Sequence, residues 1–209
     1  MQIVSSERCP YLVRTYETFQ DSEFQYIVME HIPNGSTIYD LINSSGRKPL
    51  SEHVAKNVMR QLAQALKVLH RNFIMHRDIK IQNVLVSASK TYFKLCDFGS
   101  AIQLASPDDK QNRRTGTPGY YAPEIIAKKP YGLAVDIYSL GALLMVLLTL
   151  KLPYLPYESR DQYELRLVQE DLDIELKRHT SHLSFQALHL LKGMLTKEPS
   201  ERLTIDQVL

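Results

Sequence analysis

Cysteine is scarce in this chain of 209 residues, with only Cys9 and Cys96. Two thiols cannot build a disulfide framework, and their separation matches no metal-site spacing. The pattern suits a reducing compartment. Long apolar runs are also lacking. The longest, from Leu140 to Leu150, is bracketed by Asp136 and Lys151 and falls well short of the about 20 residues that a membrane-spanning helix needs. A short helix that is apolar all round is expected instead to be the central buried helix of a soluble domain. Gln2, Ser5, Ser6, Glu7 and Arg8 leave no room for the apolar core of a secretory signal. Neither sign of charge dominates: the formal net charge is +2. Basic residues come in pairs, Arg113-Arg114 and Lys128-Lys129, and form no stripe. Solvated loop charges explain those pairs better than a nucleic-acid-binding face does. No repeat or low-complexity tract occurs. These absences point to an intracellular protein, cytoplasmic and/or nuclear, with no membrane and no nucleic acid among its partners.

The length suits one domain with a sizeable core. Residues 13–19 and 24–29 are rich in β-formers, and Gln20-Asp21-Ser22-Glu23 supplies turn chemistry between them, which predicts a hairpin. Pro33-Asn34-Gly35-Ser36 breaks the pattern. Ser51 is a candidate N-cap for a helix whose stripe is Val54, Val58, Leu62, Ala65, Leu66 and Leu69, ending near Arg71-Asn72. Two short β-like runs, 83–86 and 92–95, are expected to pair. Residues 99–121 read as a long polar loop, which inside a compact domain is usually functional. Beyond Pro130 helices are expected over 134–150, 160–169 and 184–195, with a last one starting near Thr204. The fold class is α+β, mostly α.

Asp78, Lys80 and Asn83 stand in a short loop between the long helix and a strand, and Asp97 follows the next strand. Taken alone, an aspartate after a strand is a turn former or helix cap, and His76 is better read as structural. Taken together, the set meets the needs of phosphoryl transfer. Hard oxygen ligands suit Mg²⁺. A separate carboxylate orients the attacking hydroxyl. A lysine neutralises charge on the group in flight.

At this point the chain resembles the eukaryotic protein kinases of the serine/threonine type. His76-Arg77-Asp78-Ile79-Lys80-Ile81-Gln82-Asn83 is similar to their catalytic loop, Asp97-Phe98-Gly99 to their metal-binding motif, and Ala122-Pro123-Glu124 to the end of their activation segment. The resemblance implies a protein-kinase-like large lobe with a remnant of the β small lobe. Residues 1–32 would be the last strands of the small lobe and the hinge, and 33–209 the large lobe. It implies ATP and Mg²⁺ as cofactors and protein Ser/Thr hydroxyls as acceptors. Asp78 would be the catalytic base, Lys80 would stabilise the transferring phosphate, and Asn83 and Asp97 would hold the metal. Lysine two places after Asp78, and Thr117 in the run Gly116 to Tyr121, mark the serine/threonine class.

Further positions follow from the same resemblance. Met29 occupies the gatekeeper site, and Glu30-His31-Ile32 resembles the hinge that meets the adenine ring. Leu85 would floor the adenine pocket and Cys96 would line it, although Cys96 by itself reads as a small buried hydrophobe. Asp136 would tie down the catalytic-loop backbone, and Glu124 and Arg202 would form a buried ion pair. Arg77 suggests regulation by a phosphorylated activation loop, with Thr115 the nearest acceptor and Ser106 further off, hence an activating kinase or regulatory subunit as a partner.

The chain departs from the family at its start. No G-x-G-x-x-G occurs in the sequence. The glycine-rich loop, the strand lysine and its helix glutamate would lie upstream of the hairpin, the glutamate at or just before Met1. Ile81 replaces a common proline, and Ser36 stands where many members bind ribose with an acid. The expectation is therefore an incomplete kinase catalytic domain, with little or no activity in residues 1–209 alone. The alternative is a pseudokinase-like binding or regulatory module. Small-molecule phosphotransfer is a weaker third class, because the Gly116 to Glu124 run resembles a peptide-receiving segment.

Overall fold

The computed structural model describes residues 9–154 and 159–209. The expectations placed on residues 1–8, including the missing secretory core and the position of the helix glutamate, lie outside the described residues.

The chain enters as an extended segment whose Leu12 bridges Leu95 in parallel, with Val13 N–H donating to the Leu95 carbonyl at 3.0 Å. Strands β1 (Thr15–Gln20) and β2 (Gln25–Met29) then form the expected antiparallel hairpin. Its turn is closed by Asp21, whose carboxylate accepts the N–H groups of Glu23 and Phe24 at 2.8 and 2.7 Å. That Asx-type closure pairs Gln20 with Gln25 and leaves Phe24 outside the strand, so the strands start one to two residues later than the sequence pattern suggests. Both faces of the hairpin are open: Tyr16 is 60% and Phe24 61% exposed.

After the Pro33–Gly35 turn come β3 (Ser36–Thr37) and a helix that the sequence reading did not include, α1 (Ile38–Ser44). Thr37 caps it. Its hydroxyl accepts the Asp40 N–H at 3.1 Å and the Asp40 carboxylate accepts the Thr37 N–H at 3.0 Å, a reciprocal capping box. Helix α2 (Glu52–Arg71) starts from Ser51 as expected and buries Val58, Leu62, Ala65, Leu66 and Leu69. Each fully buried leucine of this kind contributes about 1.5–3 kcal/mol. The short strand β4 (Ile74–Met75) follows α2, and a 3₁₀ turn over Ile81–Asn83 leads into β5 (Val84–Val86), which pairs with β6 (Phe93–Leu95). β3, β5 and β6 make one three-stranded sheet in the order β3-β5-β6.

The expected long loop is partly ordered. Strand β7 (Ile102–Gln103) pairs with β4, and Gln111 bridges Tyr131. The short helix α3 (Pro123–Ile126) ends this stretch. Helix α4 (Ala134–Thr149) is the central helix, with Val135 through Leu148 all buried. Then come α5 (Arg160–Gln169), α6 (Leu172–Lys177), which the pattern missed, α7 (Phe185–Leu195) and α8 (Ile205–Val208). α7 lies tightly on α4 at Gly141, where an added Cβ would sit 2.8 Å from the Met194 Cβ. Among the described residues no helix is long and apolar enough to cross a membrane.

Glu124 and Arg202 form a bidentate pair, at 2.7 and 2.9 Å, with both residues buried. The remaining guanidinium hydrogens go to the carbonyls of Thr196, Ala134 and Lys197. The pair locks α3 to the segment before α8 across 78 residues of sequence. Removing one partner strands a buried charge. Arg202→Leu should therefore cost about 3–5 kcal/mol in urea unfolding. A loss below about 1 kcal/mol, the scale of an exposed pair, would show that the pair is not structural.

Candidate active site

The loop after β4 is held from beneath. Asp136, in the first turn of α4, has no exposed surface. One of its oxygens accepts the His76 N–H at 2.8 Å, the other accepts the Arg77 N–H at 2.8 Å, and His70 of α2 lies 3.2 Å away. Burial alone would raise the Asp136 carboxyl, but the hydrogen bond and charge of His70 outweigh it and the net displacement is downward. The anchor supports Arg77 in a left-handed conformation, φ +65°, where a non-glycine residue is strained. Arg77 also donates from Nε to the Ser100 carbonyl at 2.6 Å.

His76 is fully buried. Its Nδ1 accepts the Asp78 N–H at 3.3 Å, so Nε2 carries the proton and donates to the Cys96 carbonyl at 3.1 Å. The imidazole thus joins the loop of Asp78 to the strand end before Asp97. Burial depresses its pKa, only partly countered by the Asp136 charge.

Asp78, Lys80, Asn83 and Thr117 meet in one hydrogen-bonded ring. Lys80 Nζ donates to Asp78 Oδ2 at 2.7 Å and to Thr117 Oγ1 at 2.9 Å. Thr117 donates to Asp78 Oδ1 at 2.6 Å, and Asn83 Nδ2 donates to Asp78 Oδ2 at 3.0 Å. Burial pushes the Asp78 carboxyl up, but the bonds from Lys80 and Thr117 more than offset this, leaving it below its ordinary value. Asp78 is therefore an ionised acceptor at neutral pH. A carboxylate has about four lone-pair sites, and these partners take three, so one remains for an incoming hydroxyl.

Asn83 spends its amide nitrogen on Asp78, with a further bond to the Asp78 carbonyl at 2.9 Å. Among the described hydrogen bonds its side-chain oxygen takes no partner and is available as a ligand atom. Asp97 is exposed, in a left-handed conformation at φ +63°, and one of its oxygens accepts the Gly99 N–H at 3.1 Å. The backbones of these neighbours are tied by Cys96 N–H donating to the Asn83 carbonyl at 3.0 Å. Among the described residues no group of three or more His, Cys, Asp or Glu side chains could hold a metal ion. A sparse, all-oxygen set of one carboxylate and one amide carbonyl fits Mg²⁺, which keeps several waters and takes phosphate oxygens as further ligands. It fits zinc poorly.

The residues predicted for nucleotide binding lie at and just after the end of β2 (Met29, Glu30, Ile32), on β5 (Leu85) and just after β6 (Cys96). Glu30 N–H donates to the Arg14 carbonyl at 2.8 Å and the Ile32 carbonyl accepts the Gly35 N–H at 3.0 Å. Among the described hydrogen bonds, the Glu30 carbonyl and the Ile32 N–H take no backbone partner, an acceptor and a donor two residues apart that suit a purine edge. Met29 at the end of β2 is 50% exposed, and Leu85 and Cys96 are half-buried. Burial and the Asp97 charge push the Cys96 thiol up to about 11, which disfavours the reactive thiolate at neutral pH.

The segment from Arg114 to Tyr121 docks beside the loop that carries Asp78 and Lys80. Arg114 pairs with Glu164 of α5 at 2.7 Å and lies over the Tyr121 ring. Tyr163 accepts the Gly119 N–H at 3.1 Å, and Ser139 of α4 donates to the Tyr120 carbonyl at 2.8 Å. Gly116, φ +112°, is required here: a Cβ would lie 2.5 Å from the Arg77 carbonyl oxygen. Arg77 and Thr115 are not joined by a hydrogen bond among the described residues. Thr115 instead donates to the Arg113 carbonyl at 3.3 Å. Sequence reading missed His70, Tyr163 and Lys94 as supporting residues, because none belongs to a local motif.

This loop-and-strand architecture around an aspartate, lysine, asparagine and second aspartate defines a phosphotransferase class, and comparison with known proteins makes it specific. The chain belongs to the protein kinase domain family, whose model matches residues 1–209. It is similar to the serine/threonine-protein kinase PLK4 of Drosophila grimshawi, 34% identical over 212 residues, to that of Drosophila virilis, 34% over 209 residues, and to that of Drosophila ananassae, 35% over 212 residues. Each alignment takes in 100% of this chain but 26% of the relative, so the chain spans about a quarter of the length of the curated relatives it matches.

The buried, neutral His76 gives a pH test. Its folded pKa lies below the unfolded value of about 6.5, so above that pH it binds a proton in neither state. As pH falls through this value the unfolded chain gains a proton that the native state refuses, and stability declines with a slope approaching 1.4 kcal/mol per pH unit, roughly. His76→Gln should remove that component, flattening urea-derived stability between about pH 6.5 and 5.5, the window below the unfolded pKa. Equal slopes in the two proteins would contradict the assignment.

Proposed function

We propose that this chain is the catalytic part of a serine/threonine protein kinase, transferring the γ-phosphate of ATP to protein Ser and Thr hydroxyls with Mg²⁺. The observation that carries this reading is the closed ring around Asp78, with one acceptor site left over. Family membership and the serine/threonine kinases among its relatives support it. In this reading residues 1–32 belong to the small lobe and hinge and residues 33–209 form the large lobe.

Asp78 accepts the hydrogen bond of the substrate hydroxyl and points its oxygen along the line of attack. Lys80 is held by Asp78 and Thr117, and places its charge beside the oxygens of the group in transfer. Asn83 and Asp97 offer the oxygens that would hold Mg²⁺, which when bound neutralises phosphate charge. The Glu30 carbonyl and Ile32 N–H bind the base edge, with Met29, Leu85 and Cys96 around it. Thr117, bonded to both Asp78 and Lys80, makes the acceptor site depend on the docked segment. Glu124, Arg202, Asp136 and His76 hold the frame. Arg77 and Thr115 form the regulatory contact, made when Thr115 is phosphorylated by an activating kinase, or favoured by a regulatory subunit. Neither Cys9 nor Cys96 is in a disulfide, which accords with an intracellular setting, cytoplasmic and/or nuclear.

Asp78→Asn in the full-length protein should lower phosphate transfer to a Ser/Thr peptide by about 10²–10⁴-fold, with its urea midpoint little changed. Transfer at the normal rate would overturn the assignment. A wild-type protein that transfers nothing, yet captures a partner, would favour the binding-module reading.

A further inference from the structure

Lys94 is a lysine in an unusual place. It lies on β6, paired in register with Leu85 of β5, and only 9% of its surface is exposed. Lysine is seldom that buried unless it is paired. Here the partner is Glu30 in the hinge segment, 64 residues away in sequence. Lys94 Nζ donates to both carboxylate oxygens, at 2.6 and 2.7 Å, and lies 5.6 Å from the centre of the Tyr92 ring. Glu30 does more than neutralise the lysine. Its Oε2 also accepts the Arg14 N–H at 3.2 Å, while its own N–H donates to the Arg14 carbonyl at 2.8 Å. One carboxylate therefore ties the entry to β1, the exit from β2 and the middle of β6.

Among the described residues, the rest of the attachment of the hairpin to the helical body is slight. The segment before it is fixed by the Leu12–Leu95 bridge and by Tyr92 donating to the Pro10 carbonyl at 2.7 Å. The hairpin itself is exposed on both faces. A half-buried ion pair at its foot is well placed to decide how firmly residues 29–32 are held. These are the residues whose Glu30 carbonyl and Ile32 N–H, an acceptor and a donor, take no backbone partner among the described hydrogen bonds.

We propose that Lys94 and Glu30 form a hinge latch: their ion pair fixes the backbone of residues 29–32 against β6 and so sets how tightly the base of the nucleotide is held. The inference rests on the kinase reading above and makes both side chains positioning residues. Neither acts on the phosphoryl group, so the latch governs nucleotide affinity and leaves the chemical step alone.

The test uses the full-length protein with Lys94→Met, Glu30→Gln and the double variant; Glu30→Gln, on the more exposed side of the pair, guards against a fold defect in the lysine variant. Mant-ADP affinity, the KM for ATP, kcat and hydrogen exchange at the amides of residues 29–32 are measured. Each single change should weaken mant-ADP binding and raise KM by about five- to tenfold, with kcat within about twofold. The double variant should be no worse than the singles, because one interaction is lost once. Exchange at the hinge amides should speed up in every variant. Unchanged affinity, additive losses in the double variant, or a fall in kcat at constant KM would overturn the latch. If the wild-type protein fails to bind mant-ADP, the kinase reading itself fails. Hinge exchange then decides alone: faster in the variants supports the latch, unchanged overturns it.

Discussion

Asp136 accepts the backbone N–H groups of His76 and Arg77, in the loop that carries Asp78, while wholly enclosed by protein. An enclosed carboxylate is costly unless each of its lone pairs is used. Here the costs are met by His76, Arg77 and His70, and the net effect keeps the group ionised. The consequence is a loop that cannot relax. Arg77 stays in its left-handed conformation, the His76 ring stays aligned between Asp78 and Cys96, and Asp78 is presented at a fixed height above α4. Every distance in the catalytic ring is measured from that anchor.

The second layer of support comes from elements far apart in sequence. Asn83 precedes β5 and Asp97 follows β6, so the antiparallel pairing of Val84 with Leu95 brings them to the same end of one sheet, where Cys96 N–H bonds the Asn83 carbonyl. The segment through Thr117 is pinned to α4 by Ser139 and to α5 by Tyr163 and Glu164. Glu124 and Arg202 close the frame behind it. A lysine and a threonine on separate segments thus converge on one carboxylate. Because Thr117 belongs to this docked segment, the hydrogen-bonded ring around Asp78 is complete only with that segment in place.

Much of this was legible in the sequence because the chemistry is concentrated in short motifs. His76 to Asn83 and Asp97 to Gly99 lie within single turns of chain, and the structure brings Asp78, Lys80, Asn83 and Thr117 together as the resemblance implies. The long helices α2, α4 and α7 announced themselves by periodicity or by continuous apolar character. Elements below that scale did not. β4 and β7 are two residues each, too short for any alternation to register. α1 follows a Pro-Asn-Gly break, and its only signal, Thr37 with Asp40, is a capping box that the turn residues overshadowed. α6 is a short charged helix started by Asp171. Pairings such as Glu30 with Lys94 or His70 with Asp136 span more than 60 residues, and no local pattern encodes them. Arg77 and the unphosphorylated Thr115 share no described hydrogen bond, each side chain having a backbone carbonyl of its own as partner, whereas the resemblance ties their contact to a phosphate.

The dependence of the site on its buried carboxylate is open to direct measurement. Asn at position 136 keeps the shape but turns one acceptor into a donor, which must face a loop N–H. Hydrogen exchange at the His76 and Arg77 amides of Asp136→Asn, read alongside phosphate transfer, separates a loop defect from global unfolding. Those two amides should exchange at least about tenfold faster, the equivalent of about 1.4 kcal/mol, and transfer should be lost while α2 and α7 remain protected. Native protection of both amides with transfer intact would contradict the view that Asp136 holds the site in place.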